Sequence, residues 1–219
     1  MNKLYVLSLG GSLITPDTVD IKFLKSFKEL IVKRVKVGDR FIVVTGGGSL
    51  ARKYINDLKL ITKVNPDEYD WVGIYATRLN AKLVQSLFGA LAHKTIVEDP
   101  SKKVNFSSKV LLAGGWKPGR SSDDVAVRMA YLYGAGTVIN LSNIDYVYNK
   151  DPRKFKNATA IKEMSWKDYK RMIGGKWSPG KHVPFDPIAS STAAHHKQKV
   201  IIVNGKKLAN LKKLLEGSS

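Results

Sequence analysis

Residues 113–124 read Ala-Gly-Gly-Trp-Lys-Pro-Gly-Arg-Ser-Ser-Asp-Asp and run directly into an apolar-periodic segment, Val125–Tyr133. A short apolar run, Val110-Leu111-Leu112, precedes them. The pattern predicts a strand that hands over to a helix through a glycine-rich turn. Glycine lets backbone amides approach a ligand closely, and Pro118-Gly119 sets a tight turn. Lys117 and Arg120 add positive charge. Ser121 and Ser122 suit the N-cap of a helix whose N-terminus is itself partly positive. Each device favours an oxyanion, phosphate first; the competing reading is an ordinary turn with an N-cap. Asp123 keeps two roles at this stage, a helix cap and a partner for magnesium.

Working outward, strand-length apolar runs alternate with segments of helical period. Lys3–Leu9 is a strand ending in Gly10-Gly11-Ser12, and Ile21–Val35 is a helix with Leu24, Phe27, Leu30, Ile31 and Val35 on one face. Phe41–Val44 is a strand ending in Gly46-Gly47-Gly48, followed by a helix over Leu50–Leu60 and a long helix over Trp71–Leu91. Thr95–Glu98 and Val110–Ala113 read as short strands, and Thr137–Leu141 as a strand ending at Ser142-Asn143-Ile144-Asp145. Helices over Trp166–Ile173 and Pro187–His196, a strand over Val200–Val203 and a helix over Leu208–Leu215 complete the chain. This alternation predicts an α/β fold, a three-layer αβα sandwich with a mainly parallel central sheet. One domain is expected over 1–216, with a disordered tail at 217–219. Ligands of such sheets bind at the carboxyl ends of the strands, where three glycine-rich loops and one Asn/Asp loop fall.

The 219 residues suffice for one large core, and the absence of Cys removes disulfide and thiolate-metal chemistry. The first residues read as neither a secretory signal nor a membrane span, so a cytoplasmic protein without membrane contact is expected. The formal net charge is +19, from 37 Lys and Arg against 18 Asp and Glu, an excess that attracts polyanions. The basic residues spread over 22–40, 102–120, 150–156, 167–181 and 195–213, without interleaved aromatics or a zinc-finger pattern. Nucleic acid is therefore not expected as the main partner.

Gly10-Gly11-Ser12 is neither a Walker A loop nor a dinucleotide fingerprint. Gly46-Gly47-Gly48-Ser49 is more than a turn requires, and Arg52 and Lys53 follow in a first helical turn where cations are unfavourable unless an anion is near. Asp70, Gly73, Thr77 and Asn80 or Ala81 share one helical face, a polar edge that marks a ligand or subunit boundary; Asp70 suits sugar hydroxyls, or alternatively the helix N-terminus. After the 137–141 strand, Tyr148 suits an adenine ring, and Asp145 suits basic side chains or a hydrated magnesium. Asp151-Pro152 also reads as a turn. The segment 174–181 has the composition of a lid or a subunit contact, and Lys176 or Lys181 suits a phosphate. His93, His182, His195 and His196 read as surface residues without metal partners.

Taken in order, these segments resemble the amino-acid kinase superfamily, and within it the archaeal-type uridylate (UMP) kinase branch. They are Leu9–Leu13, Val44–Ile55, Asp70–Ala81, the 113–124 stretch, Asn143–Pro152 and Asp186–Ala189. The resemblance implies transfer of the γ-phosphoryl of ATP, with Mg2+, to UMP. It places Gly11 and Ser12 at the transferring phosphate, Gly47 on UMP, and Gly48 and Arg52 by the ATP phosphates or the transfer centre. Asp70 would hold the UMP ribose. Trp116, Lys117, Pro118, Gly119, Arg120, Ser121 and Ser122 would cradle uridine and its phosphate. Ser142, Asn143, Tyr148 and Asp151 would line the ATP site, with Asp145 among the catalytic groups. It also implies a hexamer built from dimers. Bacterial relatives carry a Lys where Ser8 stands, and Tyr146 replaces a usual Gly. Isopentenyl phosphate kinases carry a His where Arg52 stands, so that enzyme is the nearest rival. A catalytically silent nucleotide- or nucleic-acid-binding protein is the alternative of another class.

Overall fold

The computed structural model describes residues 3–150, 155–174 and 183–217. Five strands form one parallel sheet: β1 (Leu4–Leu9), β2 (Arg40–Thr45), β3 (Val110–Ala113), β4 (Thr137–Ser142) and β7 (Lys199–Asn204), in the order β3-β2-β1-β4-β7. A two-stranded antiparallel hairpin, β5 (Val147–Tyr148) with β6 (Ala160–Ile161), stands apart.

The near-continuous apolar character of the strands follows from burial on both faces. Successive side chains alternate between two cores. Leu7, Phe41, Val43, Leu112, Ile139 and Leu141 enter the first, with the apolar faces of α2 (Ile21–Lys36), α4 (Pro66–Phe88) and α8 (Leu208–Glu216). Val6, Ile42, Val44, Leu111 and Val138 enter the second, under α5 (Ser122–Leu132), α6 (Trp166–Ile173) and α7 (Pro187–His195). These are the two helical layers of the expected sandwich. α3 (Gly48–Ile61) has no buried residue and rests on α4.

Four expectations are corrected. Thr95–Glu98 is not a strand: it contributes a single parallel bridge, Val97 to Ala113. The long helix begins at Pro66 and ends at Phe88; Gly89, at φ 52°, turns the chain into a 3-10 turn through Leu91. Pro66 at the first helical position and the Asn65 cap explain the earlier start. Gly11 does not sit in an open loop but begins a single-turn helix, α1 (Gly11–Ile14). Gly217 caps α8 in the left-handed conformation, φ 76°, as glycine does at helix ends; 218–219 lie outside the described residues.

The glycines after β1 and β2 have a packing cause. A Cβ on Gly11 would overlap the backbone nitrogen of Gly48 and come within 2.6 Å of the Gly46 carbonyl oxygen. A Cβ on Gly48, at φ 66°, would lie 2.5 Å from Thr15 Oγ1. The two loops therefore touch backbone to backbone. Gly11→Ala should destabilise the fold at the upper end of the about 1–3 kcal/mol seen for overpacking. Gly136→Ala, where an added methyl meets nothing within 4 Å, should leave stability unchanged or slightly higher. Chemical denaturation of both variants checks this; equal midpoints would contradict the packing account.

Candidate active site

The strand order runs outward from β1, with β2 and β3 on one side and β4 and β7 on the other. β1 is therefore the point where the order reverses, the usual ligand position in open α/β sheets. The loops at the carboxyl edge continue the ladder: Gly46 N donates to Leu9 O (2.9 Å), Gly10 N to Leu141 O (2.9 Å) and Gly205 N to Ser142 O (2.8 Å). Gly10-Gly11-Ser12 thus stands between two groups of loops.

On the β2–β3 side lies a cleft of about 380 Å³. Gly47, Gly48 and Arg52 form one wall, Asp70, Gly73 and Thr77 of α4 a second, and Gly119, Arg120, Ser121 and Ser122 a third. The structure thereby brings together residues from three distant sequence segments that the sequence singled out. Trp116, Lys117 and Pro118 belong to the same loop but not to the cleft lining. Trp116 is half-buried against the second core, with Lys117 Nζ 4.2 Å from its ring centroid and Arg128 on it at 5.2 Å.

α4 holds this loop in place, and its polar edge is thereby explained. Asp70 Oδ2 accepts from Gly119 N (2.8 Å). Thr77 Oγ1 accepts from Gly115 N (2.6 Å) and donates to Ile74 O (2.6 Å). Asn80 Nδ2 donates to the carbonyls of Gly46 (2.8 Å) and Gly47 (3.3 Å). Arg78, which sequence reasoning gave no role, donates to Gly115 O (3.1 Å) and Trp116 O (3.2 Å) and pairs with Glu98 (2.7 Å). Three of the four residues of the supposed ligand edge, Asp70, Thr77 and Asn80, thus clamp two loops. Gly114 is glycine because a Cβ there would lie 2.7 Å from Arg78 Cγ.

The N-terminus of α5 collects carboxylates. Ser121 is the cap, its Oγ accepting from Asp124 N (3.2 Å), so neither Ser122 nor Asp123 caps this helix. Asp124 is fully buried, paired with Arg128 (2.8 Å) and Arg120 (3.5 Å), and accepts from Thr192 Oγ1 (2.8 Å). Asp123 Oδ1 instead accepts from Ser8 Oγ (2.8 Å) and Asn140 Nδ2 (3.0 Å), which joins α5 to the ends of β1 and β4. Loss of hydration pushes Asp123 up to about 6; its hydrogen bonds oppose the rise, and the nearby Asp186 carboxylate adds to it. Asp186 also lines the cleft and caps α7, accepting from Ala189 N (2.7 Å), and burial raises its pKa as well. Sequence reasoning gave Asp186 no site role, although Asp186–Ala189 was one of the segments that carried the family resemblance; by itself the Asp-Pro pair reads as a helix start.

On the β4–β7 side, Ser142 ends β4, Asn143 and Asp145 follow in its loop, and Tyr148 is in β5, against Tyr146 edge to face. Asp145 pairs with Lys207 Nζ (2.7 Å) and accepts from Asn204 Nδ2 (3.1 Å), and the Lys207 contact holds its carboxyl below the usual range. Sequence reasoning missed Lys207, which lies far away in the chain. Asp151, Lys176, Lys181 and His182 lie outside the described residues. His195 is exposed; His93 and His196 are half-buried. Among the described residues no cluster of three or more His, Cys, Asp or Glu could hold a metal, and no helix is long and apolar enough to cross a membrane.

A parallel sheet with glycine loops, helix N-termini and cations gathered at its reversal point is a phosphate-handling α/β architecture. The chain belongs to the amino acid kinase family, whose model matches residues 3–204. A protein of Thermoplasma volcanium named uridylate kinase is 36% identical over 99% of this chain and 95% of its own. One of Sulfolobus acidocaldarius with the same name is 32% identical, over 89% and 87%. The solved uridylate kinase of Archaeoglobus fulgidus matches with a TM-score of 0.81 at 29% identity, covering 100% of this chain and 97% of that one. An aspartate kinase of Synechocystis, at 16% identity and TM-score 0.75 over 38% of its length, shares the fold.

Asp123 makes the fold pH-sensitive. Its native pKa lies above the unfolded value, so the native state holds more protons between about pH 4 and 6. Its contribution to stability therefore falls as pH rises through that window. Asp123→Asn, which keeps the Oδ1 acceptor, should be more stable than the parent by at most about 3 kcal/mol at pH 8 and by under about 1 kcal/mol at pH 4. Urea titrations at the two pH values measure the gap; a constant gap would refute the assignment.

Proposed function

We propose that the chain transfers the γ-phosphoryl group of ATP to UMP, giving UDP and ADP. The observation that carries this is the position of the Gly10-Gly11-Ser12 turn between two loop groups, with the cleft of Asp70, Arg52 and Gly119–Ser122 on one side and the Ser142–Tyr148 loops on the other. The near full-length likeness to archaeal uridylate kinases supports the same reading.

In this reading an oxygen of the UMP phosphate attacks the γ-phosphorus, the bond to the bridging oxygen breaks, and ADP leaves with that oxygen's electron pair. The acceptor phosphate is already largely ionised at neutral pH, so no general base is required and catalysis rests on positioning and charge neutralisation. Gly11 and Ser12 bring amides of α1's first turn to the transferring group. Gly48 and Arg52 neutralise phosphate oxygens from the N-terminal turn of α3. Asp70 receives the ribose while Gly47 and the Trp116–Ser122 loop enclose the uridine and its phosphate. Ser142, Asn143, Tyr148 and Asp151 bind ATP, and Asp145 acts by holding Lys207 at the donor side. The donor set fits a magnesium ion that arrives with ATP, since Mg2+ keeps most of its ligands from water and phosphates and needs only one or two carboxylates; Asp186, in the cleft lining with Asp123 beside it, would be such a group, Asp70 being engaged by Gly119 N. Mg2+ supplies further neutralisation of the phosphate oxygens. Assembly as a trimer of dimers and a cytoplasmic setting complete the proposal.

ADP release with magnesium-ATP, compared across UMP, CMP, dTMP and isopentenyl phosphate, tests the reading. UMP should be the preferred acceptor, and no acceleration by UMP would overturn it; a preference for isopentenyl phosphate would favour the rival kinase. Arg52→Ala should lower kcat by about 10²–10³-fold, the effect of removing one charge-stabilising donor, with an unchanged melting profile. Asp70→Asn should chiefly raise KM for UMP. Parent-like kinetics in both would reject their roles.

A further inference from the structure

We infer that the face formed by α2 and α8 is a binding surface for duplex nucleic acid, distinct from the cleft. In the sequence the basic residues are dispersed. In the fold, 22–36 and 206–213 come together, because α2 and α8 pack side by side over the same core. These two segments carry ten Lys or Arg against one carboxylate, Glu29, with Glu216 following at the end of α8. The other helices carry less: α3 and α6 have three cations against one carboxylate each, α4 two against three and α5 one against two. The α2–α8 face therefore holds the largest concentration of excess positive charge on any helical surface, which is the electrostatic footprint of a polyanion partner.

Lys22, Lys25, Lys28, Lys33 and Lys36 are all exposed, and none has an ion-pair partner among the described residues. At helical spacing Lys22, Lys25, Lys33 and Lys36 share the outward side of α2, with Glu29 between them. Sixteen residues make a helix about 24 Å long, the span of about seven phosphates on one strand of a duplex. Such a stripe is far longer than a mononucleotide. A groove of about 410 Å³ separates α2 from α8, with Lys33 and Lys212 among its lining.

The side-chain types narrow the partner. Lysines are hydrated point charges that contact phosphates and do not read bases in a fixed geometry, so binding is independent of sequence. Phe23 and Phe27 of α2 are buried and α8 has no aromatic residue, so the face offers no platform for stacking unpaired bases. The exposed apolar residues Ile21 and Val37 lie at opposite ends of α2 and form no stripe for insertion into a lipid surface.

Fluorescence anisotropy with a labelled mixed-sequence duplex of about 24 base pairs, at 50 and 200 mM salt, tests this. The parent should bind, and affinity should fall steeply with salt. The variant K22A/K25A/K33A/K36A should bind at least about tenfold more weakly, with a log–log salt slope shallower by about 4. A charge-matched control, K59A/K63A/K167A/K170A, should stay within about twofold of the parent. Magnesium-ATP at saturation should not displace the duplex, and both variants should keep the parent's melting profile and ADP release with UMP. The inference is overturned by absence of binding at 50 mM salt, by equal loss in both variants, by displacement with ATP, or by capture on phosphatidylglycerol vesicles at lower protein concentration than on duplex. None of these outcomes bears on UMP turnover, which is measured separately.

Discussion

Two glycine loops that touch backbone to backbone set the geometry of the whole carboxyl edge. The turn after β1 and the turn after β2 meet so closely that a single methyl group on Gly11 would occupy the space of Gly48's amide. The contact fixes where α1 and α3 begin, and so where their unpaired amides and Arg52 point. From there Asn80 carries the constraint to α4 through the Gly46 and Gly47 carbonyls. Thr77 and Arg78 carry it on to the loop after β3. Three loops from separate parts of the chain are thereby one rigid unit, held by close approach and by hydrogen bonds buried from water, where an unmade bond would be costly.

The opposite half of the edge is built more lightly. Asp145, Asn204 and Lys207 tie the loop after β4 to the loop after β7, but Lys207 and Asp145 are substantially exposed, and an exposed ion pair contributes little to stability. In the proposed reaction a donor nucleotide enters and leaves on this side each cycle. A weak tie that can be remade around it suits that demand better than the buried clamp on the acceptor side.

Much of this was legible in the sequence, and the exceptions share a cause. Strands buried on both faces read directly as apolar runs such as Phe41–Val44, and amphipathic helices such as α2 read from their period. Thr95–Glu98 misled because a β-favourable composition does not ensure a neighbour along its length; it finds only Ala113. The segments facing the cleft were identifiable because glycine, proline and capping residues mark turns locally. What the glycines were for was not identifiable: Gly11, Gly46 and Gly48 answer to each other across more than thirty residues. Arg78 and Lys207 escaped for the same reason: each has its meaning through a partner distant in the chain, Gly115 and Asp145 respectively. Asp186 escaped differently, because its local role as the cap of α7 accounts for it before its place in the cleft is seen.

The bond from Gly115 to Thr77 has a consequence for how a ligand is met. Buried from water, it joins the loop after β3 to α4 while the cleft is open, so much of the loop's conformational freedom is surrendered during folding and not at encounter. Recognition then resembles insertion into a mould already cast: the arriving molecule has little left to organise. Discrimination among acceptors must accordingly come from shape and charge fixed in advance, and the speed of capture from diffusion and the field of the cleft.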